Sequence, residues 1–394
     1  MPWKRRPFSD TQLARALCIA DLREIARRRV PHFAFEYVEG GAEDEITLRA
    51  NRSAFENWRF VPQTLVDTSA RHHRVELFGT EMRAPLVIAP TGMNGILYED
   101  GDKALARAAA KFGIPFTQST VSTTKIEDIA SQVGGRLWMQ LYVMKDKRVA
   151  EHIVKRAAAA GFEALVFTTD ANVFGHREWD RRNYLRPGRL KFRNKLDVLR
   201  HPSWLRSVIL RSGIPQFHNF AEFLPPGAAS AIGGSTIIPT LFGPTITWQD
   251  IDWLRGIWQG KLLIKGVLSV GDAERAVSVG CDGIVLTNHG GRQLDGCVAP
   301  IEVLPDIAAA VGKKLTIVID SGFRRGTEVV KALALGAHAV MLGRATLYGL
   351  AAGGQAGVER ALEILTLEID RTLGHLGACS VADLRPQLLR RANA

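Results

Sequence analysis

Two side chains that can move a proton and hold an anion lie three residues apart in one short stretch. His289 and Arg292 follow the apolar run 283–286, which is typical of a buried parallel strand, so both lie just past its C-terminal end. A histidine can take up a proton near neutral pH, and an arginine can hold a carboxylate through two parallel hydrogen bonds. The two glycines between them permit a tight turn. The stretch predicts a base and a carboxylate clamp, with a solvated surface loop as the alternative.

The elements that must position this stretch form a regular series. From residue 84 onward, short apolar runs alternate with Ala-rich amphipathic stretches, and eight runs are expected of a (β/α)8 TIM barrel. A doubly wound sheet is the alternative, although it does not require eight regular units. We therefore predict one domain over 1–394, with the barrel over about 84–376. The predicted strands are 84–90, 115–120, 136–142, 164–170, 262–265, 283–288, 316–320 and 339–344.

A helical extension is predicted before the barrel. Apolar residues recur at near-helical spacing over 10–30, with Asp10 or Thr11 as the expected cap. A double glycine then ends the helical structure around Tyr37. The tyrosine side chain either packs or offers its hydroxyl to a pocket.

Polar and ionisable side chains gather at the C-terminal ends of the predicted strands. This is the end at which such barrels carry their active sites, and a packed opposite face would not be so polar. The sequence therefore predicts a single site built from the ends of all eight strands. Its candidate residues are Pro90, Thr91, Gly92, Ser119, Gln140, Tyr142, Thr168, Asp170, Lys265, Thr287, His289, Arg292, Asp320, Ser321, Gly322, Arg324, Gly343 and Arg344.

Two of these strand ends predict a phosphate site. The turn 320–326 follows the seventh strand and Gly343 and Arg344 follow the eighth, where barrels frequently bind phosphate with glycine amides and a helix N-terminus. Lys265 ends the fifth strand, where a buried charge requires an anionic or electron-rich partner. A Schiff-base lysine and a lysine supporting a reduced flavin ring are both consistent with this position.

Composition narrows the class of protein. The chain has 394 residues, a formal net charge of +11 and a sequence pI of about 9.7, which indicates attraction to something anionic. Its four cysteines lack metal-binding spacing and are typical of reduced thiols in a cytoplasmic protein. The basic N-terminus is not followed by an apolar segment, so no secretory signal is predicted. No zinc spacing, helix-turn-helix signal or RNA-binding motif favours a nucleic-acid partner.

Several motifs occur in the order found in one known family. The chain resembles the FMN-dependent L-2-hydroxy acid oxidases and dehydrogenases over about 19–376, and within them most closely the mandelate dehydrogenase branch. The stretches that carry the resemblance are YVEGGAEDE (37–45), PTGMNG (90–95), LWMQLYV (137–143), SGFRRG (321–326) and LGRATLYGLAA (342–352).

The resemblance implies a role for each matching position. His289 matches the active-site base and Asp170 the carboxylate that pairs with it once it is protonated. The positions that match substrate-binding residues are Arg177 and Arg292 for the carboxylate, and Tyr37 and Tyr142 for hydrogen bonds. The positions that match FMN-binding residues are Pro90, Thr91, Gly92, Ser119, Gln140, Thr168, Lys265, Thr287, Asp320, Ser321, Gly322, Arg324, Gly343 and Arg344.

Departures from the family pattern concern three of these positions. Many members have alanine where this chain has Gly92, and the smaller residue implies room for a bulky aromatic substrate and lower reactivity with oxygen. Ser321 replaces a glycine of the plant oxidases, in agreement with the mandelate branch. Thr287 stands where serine is usual and keeps the hydroxyl.

A basic insertion interrupts the barrel pattern after the fourth strand, over about 186–247. Eight basic residues between Arg186 and Arg211 are opposed only by Asp197, and Trp, Leu, Val and Ile residues are interleaved with them. Such a segment predicts attachment to an anionic membrane surface through about 186–223, as the resemblance also implies. A mobile lid over the active site is the alternative.

Together the residues and the resemblance predict a function. An L-2-hydroxy acid, (S)-mandelate or a similar aromatic acid, is oxidised to the 2-oxo acid, with FMN as cofactor and a membrane quinone as electron acceptor. The alternatives are an L-lactate dehydrogenase and a soluble oxidase that forms hydrogen peroxide. The resemblance further implies a homotetramer, peripheral on the inner face of the cell membrane.

Overall fold

The computed structural model describes residues 8–186, 189–211, 213–230, 240–242 and 245–392. The basic N-terminal stretch and parts of the predicted insertion lie outside these residues.

Eight parallel strands close into a barrel, which confirms the predicted fold class and excludes the doubly wound sheet. Each strand pairs with its neighbour in chain order, and the eighth pairs with the first. All eight predicted strands are present, most of them one to three residues shorter than predicted. They are β1 (Leu86–Ile88), β2 (Phe116–Gln118), β3 (Leu137–Leu141), β4 (Ala164–Thr168), β5 (Lys261–Val267), β6 (Gly283–Leu286), β7 (Thr316–Ile319) and β8 (Ala339–Leu342).

A helix follows each strand and covers the outside of the barrel. The last helix contains non-helical backbone at Gly353 and Gly354, where it kinks. The helices are α1 (Gly101–Phe112), α2 (Ile126–Gln132), α3 (Lys147–Ala159), α4 (Gln249–Ile257), α5 (Val270–Ser278), α6 (Pro300–Val311), α7 (Gly326–Ala334) and α8 (Arg344–Leu376).

The barrel interior is a packed apolar core. Val87, Trp138, Val166 and Leu263 are among its completely buried side chains, each from a different strand. An antiparallel hairpin, Val75–Leu77 with Thr80–Met82, contributes Leu77 and Met82 to the same cluster. Because the interior is filled, polar side chains can converge only beyond the strand ends.

The N-terminal extension contains three helices, Ile19–Arg29, His32–Glu39 and Ile46–Ser53. The prediction of one helix over 10–30 is wrong in its first half, where only a 3-10 turn forms at Leu13–Arg15. The first helix begins at Ile19 because the carboxylate of Asp21 accepts hydrogen bonds from the two backbone amides before it, at 2.8 and 3.3 Å. The second helix ends two residues beyond Tyr37, at the predicted double glycine.

The insertion between β4 and α4 contains short elements that pack on the barrel. Trp204, Val208, Phe217 and Phe220 are buried in the main core, and the indole of Trp204 donates a hydrogen bond to the carbonyl of Ile96 at 2.8 Å. The short elements are Glu178–Arg182, Tyr184–Arg186, Arg189–Leu190, Phe192–Leu199, Pro202–Trp204, Leu205–Leu210 and Ala221–Phe223. Trp58–Phe60 pairs with Leu389–Arg391 near the C-terminus. None of the helices in the described ranges is both long and apolar enough to cross a bilayer.

Candidate active site

The turn after β6 places His289 at the mouth of the barrel. His289 has a φ of 58°, and Gly290 and Gly291 follow with φ values of 66° and 73°, so three consecutive residues adopt left-handed backbone. The hydroxyl of Thr287 accepts a hydrogen bond from the His289 amide at 2.9 Å. A left-handed histidine is unusual, and residues held in such backbone cluster at active sites.

His289 and Asp170, which follows β4, form a partly buried hydrogen-bonded pair whose side chains are 19% and 15% exposed. Asp170 Oδ1 accepts a hydrogen bond from His289 Nδ1 at 2.9 Å, so neutral His289 carries its free lone pair on Nε2. The hydroxyl of Tyr142 lies 3.4 Å from that Nε2. Burial lowers the pKa of His289 although Asp170 acts to raise it, so the imidazole is neutral near pH 7 and can accept a proton.

Asp170 carries a negative charge beside the imidazole of His289. Burial acts to raise the pKa of Asp170, but the charge of His289, when protonated, and that of Lys265 outweigh burial and lower the pKa below its usual value. The second carboxylate oxygen of Asp170 is buried and has no hydrogen-bond partner among the described residues.

Arg177 and Arg292 converge beside this pair. Arg177 Nε donates to the backbone carbonyl of Arg292 at 3.2 Å, and Arg292 donates to the carbonyl of Gly40 at 2.8 Å. Burial and then the charge of Arg292 lower the pKa of Arg177 to about 10. The acid that is nearest to Arg292, Asp180, is 3.8 Å away. Two partly buried cations with such weak opposing charge fit an anionic ligand.

Tyr37 lies beneath the arginine pair. The guanidinium of Arg292 is 5.2 Å from the centre of the Tyr37 ring, a cation–π contact. The Tyr37 hydroxyl donates to the carbonyl of Gly92 at 3.2 Å, and burial raises its pKa. Of the two predictions for Tyr37, packing or a hydroxyl offered to a pocket, the structure favours the second, because the side chain reaches the site.

The ends of β5, β6 and β7 share a second polar cluster. Lys265 Nζ lies 3.5 Å from the carboxylate of Asp320 and 3.4 Å from the hydroxyl of Thr287, and is 4% exposed. Thr287 also donates to Asp320. Ser321, with a φ of 76°, donates to Asp320 at 2.7 Å and accepts from the Gly290 amide at 3.1 Å. The cluster thereby connects the lysine to the turn that holds His289.

A third set of polar groups lines the ends of β2 to β4. The side-chain oxygen of Gln140 accepts from the Ser119 hydroxyl at 3.2 Å, and its amide donates to Thr168 at 3.0 Å. After β1, the Thr91 hydroxyl donates to Asn94 at 3.0 Å. A Cβ on Gly92 would lie 2.5 Å from a methyl of Val121, so glycine is required by the present packing.

The predicted phosphate residues occupy different surroundings. Arg324 donates to the carbonyl of Phe323 at 2.7 Å and lies 5.3 Å from the Tyr348 ring centre. Arg344 donates to the carbonyls of Val38, Gly40 and Gly290 at 2.7 to 2.9 Å. It therefore contacts the turn 287–291, which carries His289. Burial, followed by repulsion from Arg292 and Arg324, lowers the pKa of Arg344 to about 9.

The glycines beside these arginines have unequal space. A Cβ on Gly322 would meet the carbonyl oxygen of Asn51 at 2.1 Å, and its φ is +94°. A Cβ on Gly343 would meet nothing within 4 Å, so the backbone after β8 is open to a ligand.

Sequence reasoning missed the residues that hold the turn 287–291 to the N-terminal extension. Asn51 and Asn288 exchange two buried side-chain hydrogen bonds at 2.7 and 2.8 Å. Gln293 accepts from the Gly175 amide at 3.0 Å beside Arg177. Nothing local in the sequence marks Asn51, because its partner lies 237 residues away.

The site combines a His–Asp pair with two arginines at the mouth of a barrel, and comparison with known proteins shows which family has this arrangement. Residues 26–391 match the model of the FMN-dependent dehydrogenase family, and the chain belongs to that family. The predicted family, cofactor and enzyme class are confirmed, and the chain is an FMN-dependent dehydrogenase of the 2-hydroxy acid type.

Individual relatives are similar over almost their whole length. The chain is 45% identical to (S)-mandelate dehydrogenase of Pseudomonas putida over 94% of this chain and 93% of that one. It is 40% identical to an L-lactate dehydrogenase of Vibrio cholerae over 94% and 98%. The crystal structure of a monotopic membrane protein, (S)-mandelate dehydrogenase, superposes with a TM-score of 0.91 at 44% identity, covering 96% of this chain and 100% of that one.

Proposed function

We propose that the protein oxidises an aromatic L-2-hydroxy acid, (S)-mandelate or a similar compound, to the 2-oxo acid and passes the electrons to a membrane quinone. The observation that carries this proposal is the partly buried His289–Asp170 pair, 2.9 Å apart, beside the converging cations Arg177 and Arg292. A proton acceptor and a carboxylate clamp in one site suit an acid that bears a hydroxyl on its α-carbon.

The residues around the site divide the work of this oxidation. The substrate must lose two protons and two electrons. Arg177 and Arg292 bind its carboxylate and fix its orientation, Tyr142 donates a hydrogen bond to it, and Nε2 of His289 takes one proton. Asp170 stabilises the resulting imidazolium because opposite charges 2.9 Å apart favour the charged form. FMN, when bound, would accept the electron pair together with the second proton.

The chain's own residues fit FMN in shape and charge. Lys265 is a buried cation at the end of β5, and Arg324 and Arg344 add positive charge near the ends of β7 and β8, where an anionic phosphate is favourable. The open backbone at Gly343 permits close approach. The residues proposed to hold the cofactor are Pro90, Thr91, Gly92, Ser119, Gln140, Thr168, Lys265, Thr287, Asp320, Ser321, Gly322, Arg324, Gly343 and Arg344.

Attachment to a membrane is supported by the exposed apolar face of the insertion helix Phe192–Leu199. Phe192, Leu196 and Leu199 recur at intervals of four and three residues and are 72%, 44% and 65% exposed. Arg193, Lys195 and Arg200 are exposed on and beside the same helix. An apolar stripe bordered by cations suits the interface of an anionic bilayer, where a quinone is also dissolved.

A homotetramer, peripheral on the inner face of the cell membrane, is proposed from family resemblance. Light scattering of the detergent-solubilised enzyme gives its mass, and a monomer or dimer would contradict the tetramer.

The experiment that tests the function is anaerobic bleaching of the flavin by a panel of L-2-hydroxy acids, followed by reoxidation. We expect (S)-mandelate to bleach the flavin faster than L-lactate, and a quinone analogue to reoxidise it faster than air. Preference for lactate would favour an L-lactate dehydrogenase. Rapid reoxidation by air with stoichiometric hydrogen peroxide would favour a soluble oxidase. A flavin bleached by none of the acids would contradict the proposal.

A further inference from the structure

Three aromatic rings from separate parts of the chain meet beside the active site. The ring of Phe242 lies 5.0 Å from that of Tyr142 and 5.1 Å from that of Phe174, with interplanar angles of 81° and 69°. Both are edge-to-face contacts of the favourable kind. Phe242 belongs to the end of the insertion and is 6% exposed.

The other two rings connect this cluster to the catalytic groups. The hydroxyl of Tyr142 is 3.4 Å from Nε2 of His289, and the guanidinium of Arg177 lies 5.8 Å from the centre of the Phe174 ring. Phe242 therefore touches one ring that reaches the proposed base and another that reaches the proposed carboxylate clamp.

The position of Phe242 is set by the barrel rather than by the exposed part of the insertion. The amide of Lys145 donates to the carbonyl of Leu241 at 2.9 Å, and its ammonium donates to the carbonyl of Thr240 at 2.9 Å. Lys145 lies in the same loop after β3 that carries Tyr142. One loop thus holds both Tyr142 and the backbone that carries Phe242.

We propose that Phe242 is a specificity-determining residue that selects an aromatic substituent on the α-carbon of the substrate, an inference that rests on the proposed function. A substrate with its carboxylate on Arg177 and its hydroxyl at His289 has one carbon substituent left. The rings of Tyr142 and Phe174 lie next to these two groups, and the ring of Phe242 packs against both of them. A phenyl substituent adds an edge-to-face contact there, which a methyl group cannot make.

The test is Phe242→Leu, which removes the ring while keeping an apolar side chain. We expect kcat/KM for (S)-mandelate to fall about tenfold relative to that for L-lactate, mainly through a higher KM, because the groups that move the proton are unchanged. Phe242→Trp should retain the preference. Rates are measured anaerobically as flavin reduction in the holoenzyme.

The matched control is Phe223→Leu, since Phe223 also lies in the insertion and also makes an edge-to-face contact, with His152 at 5.5 Å. It should leave the ratio of the two kcat/KM values within twofold of wild type. If Phe242→Leu does not retain flavin, Phe174→Leu examines the same cluster and should lower the same ratio.

Three outcomes distinguish the explanations. An equal loss for both acids in the Phe242 and Phe174 variants would overturn the inference, because these rings would then only support the loop. Wild-type values of kcat/KM for both acids in these variants would also overturn it. A wild-type flavin that neither acid reduces would overturn the proposed function and the inference with it.

Discussion

The barrel mouth and the insertion both depart from the usual distribution of side chains, in which charged groups face solvent and apolar groups are buried. At the mouth, Lys265, Asp170 and Arg344 are charged groups withdrawn from solvent, each with partners on neighbouring strand ends or loops. On the insertion, Phe192 and Leu199 are large apolar groups left in solvent. Buried charge and exposed apolar surface are both costly, so the two regions are consistent with the two proposed ligands, a small anion at the mouth and a membrane on the insertion.

This comparison predicts that the two regions can be disabled separately. Substitutions at the mouth should abolish turnover without releasing the protein from membranes. Substitutions on the exposed helix should do the reverse.

The largest effect is expected for His289→Gln. The side-chain amide of glutamine cannot accept the proton that we propose His289 Nε2 takes. The rate of anaerobic flavin reduction should therefore fall about 10⁴-fold while the protein keeps its yellow colour. Stopped-flow absorbance measures the rate, and sedimentation with membranes should be unchanged. A near-wild-type rate would remove His289 as the base.

Asp170→Asn should reduce the same rate about 10³-fold, because the imidazolium loses its counter-charge. It should also change the pH profile. Activity requires neutral His289 and therefore rises with pH through the pKa of that group, which burial places below its usual value. Since Asp170 acts to raise this pKa, its removal should move the acidic limb of kcat/KM to still lower pH. A limb that moves to higher pH would contradict the pairing.

On the insertion, the triple substitution Phe192→Ser, Leu196→Ser and Leu199→Ser should weaken binding to anionic vesicles about 100-fold, because three apolar contacts with the bilayer are lost. Turnover with a soluble dye acceptor should stay within twofold. The substitution is preferable to deletion of 189–223, which would also remove Trp204 and Phe217 from the core. A variant that remains in the membrane pellet would refute the attachment surface.

The smallest effect is expected at Gly92. An added Cβ would conflict with the methyl of Val121 at 2.5 Å, so Gly92→Ala should destabilise the protein by about 1–3 kcal/mol. Val121→Ala in the same chain should recover most of this loss. Thermal unfolding of the two single variants and the double variant measures the coupling, and additive losses would show that the methyl is not the obstacle.

Much of the barrel mouth could be predicted from sequence because each strand carries its own signal. A run such as 164–168 is almost entirely apolar since it is buried on both faces, and Asp170 lies two residues beyond it. Closure of the barrel then brings these ends together, so convergence needs no knowledge of distant pairs.

What could not be predicted comprises one local capping contact and several contacts between distant parts of the chain. The periodicity over 10–30 indicated one helix, but Leu17 is 76% exposed and the Asp21 carboxylate fixes the start at Ile19. The hydrogen bonds of Arg344 to the carbonyls of Val38 and Gly40 depend on the fold of the N-terminal extension, 304 or more residues away. Phe242 lies in a segment without regular periodicity, and only its ring neighbours reveal its position.

The attachment of the loop after β6 to the helix Ile46–Ser53 has a consequence for when these contacts can form during synthesis. Asp295 accepts hydrogen bonds from the first two amides of that helix at 3.1 and 2.7 Å, and Asn51 pairs with Asn288. These partners are separated by about 240 residues, so during synthesis their hydrogen bonds cannot form until β6 and its loop have left the ribosome. The turn that carries His289 therefore lacks these contacts until most of the chain has been made.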